Sequence, residues 1–386
     1  MSSNTLSGFL TVVGCVVAGG GLVVWLCWRD APLRSLQRPS SRVLSTTPNT
    51  VEANQGPVAS SSILLTLRNL LDYAPDANRT EQLLSGLRRS LAKMEMRAAV
   101  SGIRQFLDSK ADAPTFLGFK VGAGGFLGAA PTMRTFLLDY WGQIDPVSAA
   151  DYARTVLASM DSPDEWAVAL RNLARGDLSE DGRALLTQKV RQMLQVAAWQ
   201  RDPTVGFLEA FDVAVYLGGS DLMPVLSELV RRKDNPAVAH AAFLALDRLV
   251  IAEPATELAE LQAAPDLMQG RELTRANYFA RADVRDQQQR KVLERYLLDP
   301  HIGAGERAQF AGLFPNASYM ISANLLTTDK TPNRVALLNR DAESLRVIDA
   351  WVGDARFAGI RPELDRIKIR LEQFAQQISS DNSTKQ

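Results

Sequence analysis

His240 and His301 are the chain's two histidines, and a metal is the first thing either could hold. Zinc chemistry needs imidazole, thiolate or carboxylate donors converging on one point, which a sequence shows as pairs at short, regular spacing. Neither histidine has a second His, a Cys or a Glu at such a spacing. His240 is expected on a helix surface or between helices and His301 in the turn after Pro300, so the sequence assigns no metal ligand and implies no cofactor. Cys15 and Cys27 both fall in one apolar stretch near the N-terminus, which leaves the rest of the chain without a disulfide framework or a thiolate site. Gly122, Gly124, Gly125 and Gly128 suggest a phosphate cradle, but the spacing argues against it. A dinucleotide fingerprint here needs glycine at the position of Leu127, and no Lys-Ser/Thr pair follows as in a phosphate loop. A long structured loop over residues 108–130, with room for a small hairpin, is the reading.

Nucleophilic and acid–base chemistry leave no clearer mark. No Gly-x-Ser-x-Gly elbow, kinase signature set or Walker motif occurs. The carboxylate pairs Asp164-Glu165 and Glu180-Asp181 sit where a first helical turn is expected, and there an acid favours the helix dipole. Arg88-Arg89 and Arg231-Arg232-Lys233 read as solvated helix ends. With 43 basic against 43 acidic residues, no bulk charge attracts nucleic acid. The sequence nominates no catalytic residue. An enzyme would have to build its site from carboxylates distant in sequence, which leave no local motif.

The elements that must position these groups are helices. Alanine and leucine are abundant and aromatics are only 7%, which favours helix packing over sheet sandwiches. Asn235 and Pro236 form an N-cap and a first helical residue. Val238, Ala241, Ala242, Ala245, Leu246, Leu249 and Val250 then share one face over three turns. Phe243 and Leu244 lie off that face, so this helix should be covered on both sides, and residues 203–250 look like the stretch around which the chain is built. Ser162-Pro163-Asp164-Glu165 is a capping box with proline at the first helical position. Asp145, Ser179, Asp202, Asp221, Asp286, Asp341 and Pro362 mark further helix starts, while Gly176 and Gly218-Gly219 mark ends. Helices are also expected over residues 63–73, 80–107, 255–262, 271–281, 305–314 and 318–327. The last helix carries Leu364, Ile367, Leu371, Phe374 and Ile378 on a narrow seam, which fits a capping helix packed on the one that starts at Asp341.

Residues 8–28 contain no charged side chain and span about 31 Å as a helix, enough for the hydrocarbon core of a bilayer. Trp25 and Trp28 stand at the end where indoles favour the interface. A single transmembrane helix is the expectation. Its rivals are a cleaved leader using Ala18 and Gly20, and a lipoprotein box at Val12-Val13-Gly14-Cys15 that would acylate Cys15. Arg29, Arg34, Arg38 and Arg42 follow the span and none precedes it. In a bacterial inner membrane the positive-inside rule then puts the rest of the chain in the cytoplasm. The spacer-like composition of residues 29–62, rich in Ser, Pro, Thr and Asn, argues for the periplasmic side and marks a flexible linker.

The Asp/Asn-Pro steps at 145, 202, 235 and 299 punctuate the chain irregularly, and the step from 202 to 235 has the length of a helix pair. Pro224 to Val238 followed by Ala241 to Leu246 resembles the second half of one HEAT unit and its successor. The resemblance implies an α-solenoid and, by family habit, partner binding. The resulting map has a short tail at 1–7, a transmembrane helix at 8–28, a linker at 29–62, an all-α repeat domain at 63–378 and a polar tail at 379–386. The expected function is a membrane-tethered helical scaffold or adaptor for a protein or peptide partner, with no nucleic-acid partner. The other readings are an enzyme with a non-local carboxylate site and a dimeric spacer paired through Gly14 and Ala18 in the membrane.

Overall fold

The computed structural model describes residues 56–72, 76–318, 321–329 and 332–383. The chain divides into two compact units, Met1–Thr50 and Val51–Gln386, and the described residues all belong to the second. The expected membrane span at 8–28 and most of the linker lie outside the described residues. Among the described residues no helix is long and apolar enough to cross a membrane. The described unit is mostly helical, as the sequence predicts.

The first three helices, α1 (Gly56–Asp72), α2 (Ala77–Leu91) and α3 (Met96–Asp108), pack together, with α1 against both others. The sequence predicts one helix over 80–107; the chain instead turns at Ala92, and the Glu95 carboxylate caps α3 by accepting from the Ala98 N–H. α1 starts ahead of residue 63, inside the stretch read as linker. Its early turn is held because Ala59 is fully buried against Gly102, where an added Cβ would lie 2.6 Å from that of Ala59.

The glycine-rich stretch is ordered as a small antiparallel hairpin of β1 (Lys120–Val121) and β2 (Leu127–Ala129), with Lys120 opposite Ala129. Four helices come after it: α4 (Met133–Ile144), α5 (Pro146–Val156), α6 (Pro163–Gly176) and α7 (Glu180–Leu194). Asp145, Ser162 and Ser179 cap α5, α6 and α7 through their side chains, each at the position the sequence marks. Gly176 ends α6 for a different reason from a left-handed cap. A Cβ there would run into the Pro146 carbonyl oxygen, so glycine permits the close approach of α5.

Next come α8 (Ala197–Arg201), α9 (Val205–Glu209), α10 (Phe211–Leu217), α11 (Met223–Val230) and α12 (Pro236–Ala252). Here two expected caps fail. Asp202 closes α8 while the Thr204 hydroxyl caps α9, and Asp221 sits in a 3-10 turn that leads into α11 without a side-chain cap. Asn235 does cap α12, accepting from the Val238 N–H at 3.2 Å. α12 packs against α9, α10, α11 and α13 (Pro254–Ala263).

The chain continues through α14 (Glu272–Phe279), α15 (Gln287–Leu297) and α16 (Ala304–Leu313). The helix expected over 318–327 is not formed among its described residues, which bend at Leu325 and Leu326. α17 (Arg334–Gly353) is capped by Asn333, so Asp341 lies inside it and does not start it. α18 (Arg361–Ser383) packs on α17 and α16 and extends into the stretch read as a polar tail.

The most enclosed helices are α4 and α6, ahead of residues 203–250. Every residue from 133 to 142 and from 165 to 174 is buried, whereas α12 leaves Ile251 half exposed. A helix covered on all sides must also bury its polar residues, and those residues build the candidate site.

Candidate functional site

Asp139 on α4 and Arg171 on α6 form an ion pair with both side chains closed to solvent. The remaining valences of the pair are filled. The Asp139 carboxylate also accepts from the Leu127 N–H at 2.9 Å and from the Gln143 amide at 2.6 Å. Arg171 donates to the Gly125 carbonyl at 2.9 Å and to Asn172 Oδ1 at 2.9 Å, and Asn172 donates to the Leu138 carbonyl at 2.9 Å. A buried pair is tolerable only under such saturation, because the desolvation of two charges otherwise exceeds their attraction.

These bonds dock the hairpin onto α4 and α6. Gly124 and Gly125 take left-handed φ angles of 66° and 74°, which aim both carbonyls at arginines of α6. Arg175 donates to the Gly124 carbonyl, and Phe126 lies under both guanidinium groups, with Arg175 at 4.3 Å and Arg171 at 4.9 Å from the ring centroid. Burial, and then the neighbouring charge of Arg171, push the Arg175 pKa below the usual guanidinium value.

A strap, residues 322–329, crosses this surface from far along the chain. Leu325 is fully buried, and its carbonyl accepts from Arg175 at 2.9 Å. Asp212 on α10 accepts from the backbone N–H groups of Leu326 at 2.7 Å and Thr327 at 3.1 Å, and from the Thr327 hydroxyl. Arg248 on α12 pairs with Asp212 at 2.8 Å and with Asp329 at 3.1 Å, and donates to the Thr327 hydroxyl. The other Asp329 oxygen accepts from Asn324 at 3.0 Å and from the Ser322 N–H at 3.2 Å, closing the strap on itself. Glu209, one turn before Asp212, is half-buried and makes no hydrogen bond or ion pair among the described residues. Its pKa is raised, first by burial and then by the Asp212 charge.

The Arg171 and Arg248 pairs belong to a series. Arg134 to Glu165 spans 31 residues, Arg171 to Asp139 spans 32, Arg248 to Asp212 spans 36, Arg281 to Asp247 spans 34 and Arg275 to Glu306 spans 31. Three of these arginines meet their carboxylates in a two-pronged fork: Arg134 at 2.7 and 3.0 Å, Arg275 at 2.7 and 2.8 Å, and Arg281 at 2.8 and 2.7 Å. Tyr296 adds a hydroxyl donor to Glu306 at 2.9 Å. Burial raises the Asp247 pKa, against the lowering effect of Arg281.

The residues singled out in the sequence lie mostly elsewhere. His240 is exposed and stacks on Phe243, with centroids 6.2 Å apart, and His301 is exposed in its turn beside Asp299. Asp164 and Glu165 do occupy a first turn, but they reach sideways more than they serve the dipole. Glu165 is taken by Arg134, and Asp164 accepts from the Gly206 N–H at 2.9 Å, its pKa raised by burial. Glu180 and Asp181 are exposed in the first turn of α7. Arg88 lies over Phe136 at 5.4 Å, and Arg232 bridges Asp234 and Gln200, so neither basic run is simply a solvated helix end. Of the notable sequence features, the glycine run reaches the Asp139–Arg171 pair through carbonyl-to-guanidinium bonds, and Glu165 joins the series through Arg134.

Among the described residues no group of three or more His, Cys, Asp or Glu side chains is placed to hold a metal ion. The carboxylates of these pairs are engaged by arginines and N–H groups, so what the arrangement does chemically is hold the hairpin and a bent loop against a helical surface. No family model, curated protein or solved structure matches this chain.

Proposed function

We propose that the chain is a membrane-tethered helical-repeat scaffold or adaptor that binds a protein or peptide partner. In this reading residues 63–378 are an irregular HEAT-like α-solenoid, residues 8–28 span the membrane and the region between them is the tether. The observation that supports the array best is a set of buried and part-buried arginine–carboxylate pairs whose two partners lie 31 to 36 residues apart. That separation is the length of a helix pair, so each such bond joins one helix to a helix about one pair further along. The tether is supported by the uncharged run of residues 8–28 with arginines on one flank.

A photo-crosslinking residue placed in turn at Val205, Ile251 and Leu273, all half exposed, tests the scaffold in the detergent-extracted full chain. The expected result is one protein partner, identified by mass, recurring from neighbouring positions. Crosslinks that never exceed those of a surface control at Leu178 would overturn the reading. Alkaline extraction that releases the chain from membranes would overturn the tether alone.

A further inference from the structure

We propose that the outer face of α1 docks on a lipid surface, the bilayer to which the chain is tethered, as an interfacial helix. This deepens the membrane-tether reading and rests on it.

α1 is apolar on both of its sides. Ala59, Ile63, Thr66 and Leu70 are buried on the side that packs on α2 and α3. Two hydrogen bonds mark the edges of that contact. The Ser60 hydroxyl donates to Gln105 of α3 at 2.6 Å, and the hydroxyls of Ser62 and Ser90 of α2 share a bond at 3.4 Å. The opposite side carries Val58, Leu64, Leu65 and Leu71, each more than half exposed. A helix at the surface of a globular unit ordinarily turns a polar face to water. α2 does so, with Arg79, Glu81, Gln82, Ser85 and Arg89 outward, and α1 does not. The charged residues of α1 are Arg68 and Asp72, paired with each other at 3.3 Å on the outer side.

Size, position and charge favour a bilayer as the occupant. A stable protein contact buries about 800 Å², roughly 20 residues or more, on each partner. The exposed stripe of α1 has seven described positions between Val58 and Asp72, too few to hold a second copy by itself. A lipid surface has no matching shape to find, and the tether keeps it close. Residues 29–55 reach about 30 Å as a coil, and α1 starts directly after them at Gly56. That stretch carries Arg29, Arg34, Arg38 and Arg42 against Asp30 and Glu52, and arginines next to a membrane favour anionic headgroups. Arg68 suits the same setting, since an arginine can lay its stem along an apolar face and raise its guanidinium to the phosphates. α1 is not long and apolar enough to cross a bilayer, so its place is in the plane of the interface.

The test uses the full chain reconstituted in vesicles of phosphatidylcholine and phosphatidylglycerol. Cys15→Ser and Cys27→Ser remove both native thiols, so a nitroxide attaches only to an introduced cysteine. A label on Leu65→Cys reports collisions with oxygen, which concentrates in lipid, and with a nickel chelate, which stays in water. The oxygen-to-nickel ratio should be at least fivefold higher there than on Gln82→Cys, on the water face of α2. Equal ratios in a chain that resists alkaline extraction would overturn the α1 proposal and leave the tether standing. A chain that the extraction releases loses both. Leu64→Ser with Leu71→Ser changes only side chains that are already exposed, so the melting temperature should hold while the ratio at residue 65 falls to the control value. A ratio that survives those two changes would show that the apolar face does not make the contact, and the proposal fails. Dipolar broadening at residue 65 that vanishes on dilution with unlabelled chain would give the face to a second copy and reject the bilayer.

Discussion

Arg171 donates to Asp139 across the α4–α6 contact while the two side chains are 0% and 1% exposed. No pair in the series is more completely enclosed, and it also anchors the hairpin, since Leu127 and Gly125 bond to the same two residues. The hairpin in turn supports the strap through Gly124, Gly125 and Arg175. A single charge pair thus underlies three segments that are distant in sequence.

Removing one member should therefore cost more than replacing both. Arg171→Ala strands the Asp139 carboxylate in a closed site, and breaking such a pair typically costs about 3–5 kcal/mol. Replacing both with apolar residues of similar size, as in Asp139→Leu with Arg171→Met, removes the stranded charge. Denaturant titration should place the double variant well above the single one. Equal losses in both would mean that the pair matters only through packing.

Gly125→Ala tests the left-handed loop. Its φ of 74° strains any residue with a Cβ, and the added methyl would meet the Leu325 carbonyl. Strain of this kind costs on the order of 1–3 kcal/mol. The loss should appear first in the strap, as faster amide exchange at Leu326 and Thr327, before any change at α6. Uniform loss of protection across the domain would count against a local effect.

What the sequence makes legible divides along local and distant interactions. Ser162, Asn235, Asp145, Ser179 and Asp286 cap where they are expected because a cap is decided within four residues. The break after Leu91 and the one at Ala210 carry neither glycine nor proline, so no local signal separates them from continuous helix. Residues 318–327 are expected as a short helix, and no local signal shows otherwise. What holds Leu325 and Leu326 in a bend instead is Arg175 and Asp212, 150 and 114 residues away. The site escapes the sequence for the same reason, since Asp139, Arg171, Asp212 and Arg248 belong to no motif and meet only when their helices pack. The separations of 32 and 36 residues within their two pairs are the signal present, and it is visible only once the partners are known.

Glu257 on α13 should make stability depend on pH. It is fully buried, and neither carboxylate oxygen has a hydrogen-bond partner among the described residues. Burial, then the charges of Glu260 and Glu253, raise its pKa from 4.5 to about 7. Below pH 4.5 both folded and unfolded forms carry the proton and there is no penalty. Between the two values the unfolded chain releases it while the folded one keeps it, so stability falls as pH rises, and it levels off above about 7. The full loss is on the order of 3 kcal/mol. Glu257→Gln should melt higher than the wild type at pH 8 and match it at pH 4. Parallel melting curves for the two proteins across that range would refute the assignment.

The last helix offers the cleanest test of how the domain ends. Leu364, Ile367 and Leu371 of α18 are buried, and the helix packs on α17 and α16, with Arg370 donating to the Ala311 carbonyl at 2.7 Å. Lys368 pairs with Asp349 of α17 at the edge of this contact. Phe374, further along the same seam, is 47% exposed, so the packed part of the face, Leu364 to Leu371, is about two turns long. That length is marginal for an independent coiled coil, whereas docking on an existing core avoids the cost of nucleating a lone helix. Leu371→Ala should therefore cost about 2–4 kcal/mol, as truncation of a buried leucine does, and lower the melting temperature without changing the molecular mass of the particle. Phe374→Ser, at the exposed end, should leave stability within about 0.5 kcal/mol. A Leu371→Ala chain that melts like the wild type but falls from dimer to monomer in sedimentation would make α18 an oligomer contact instead of the cap of the array.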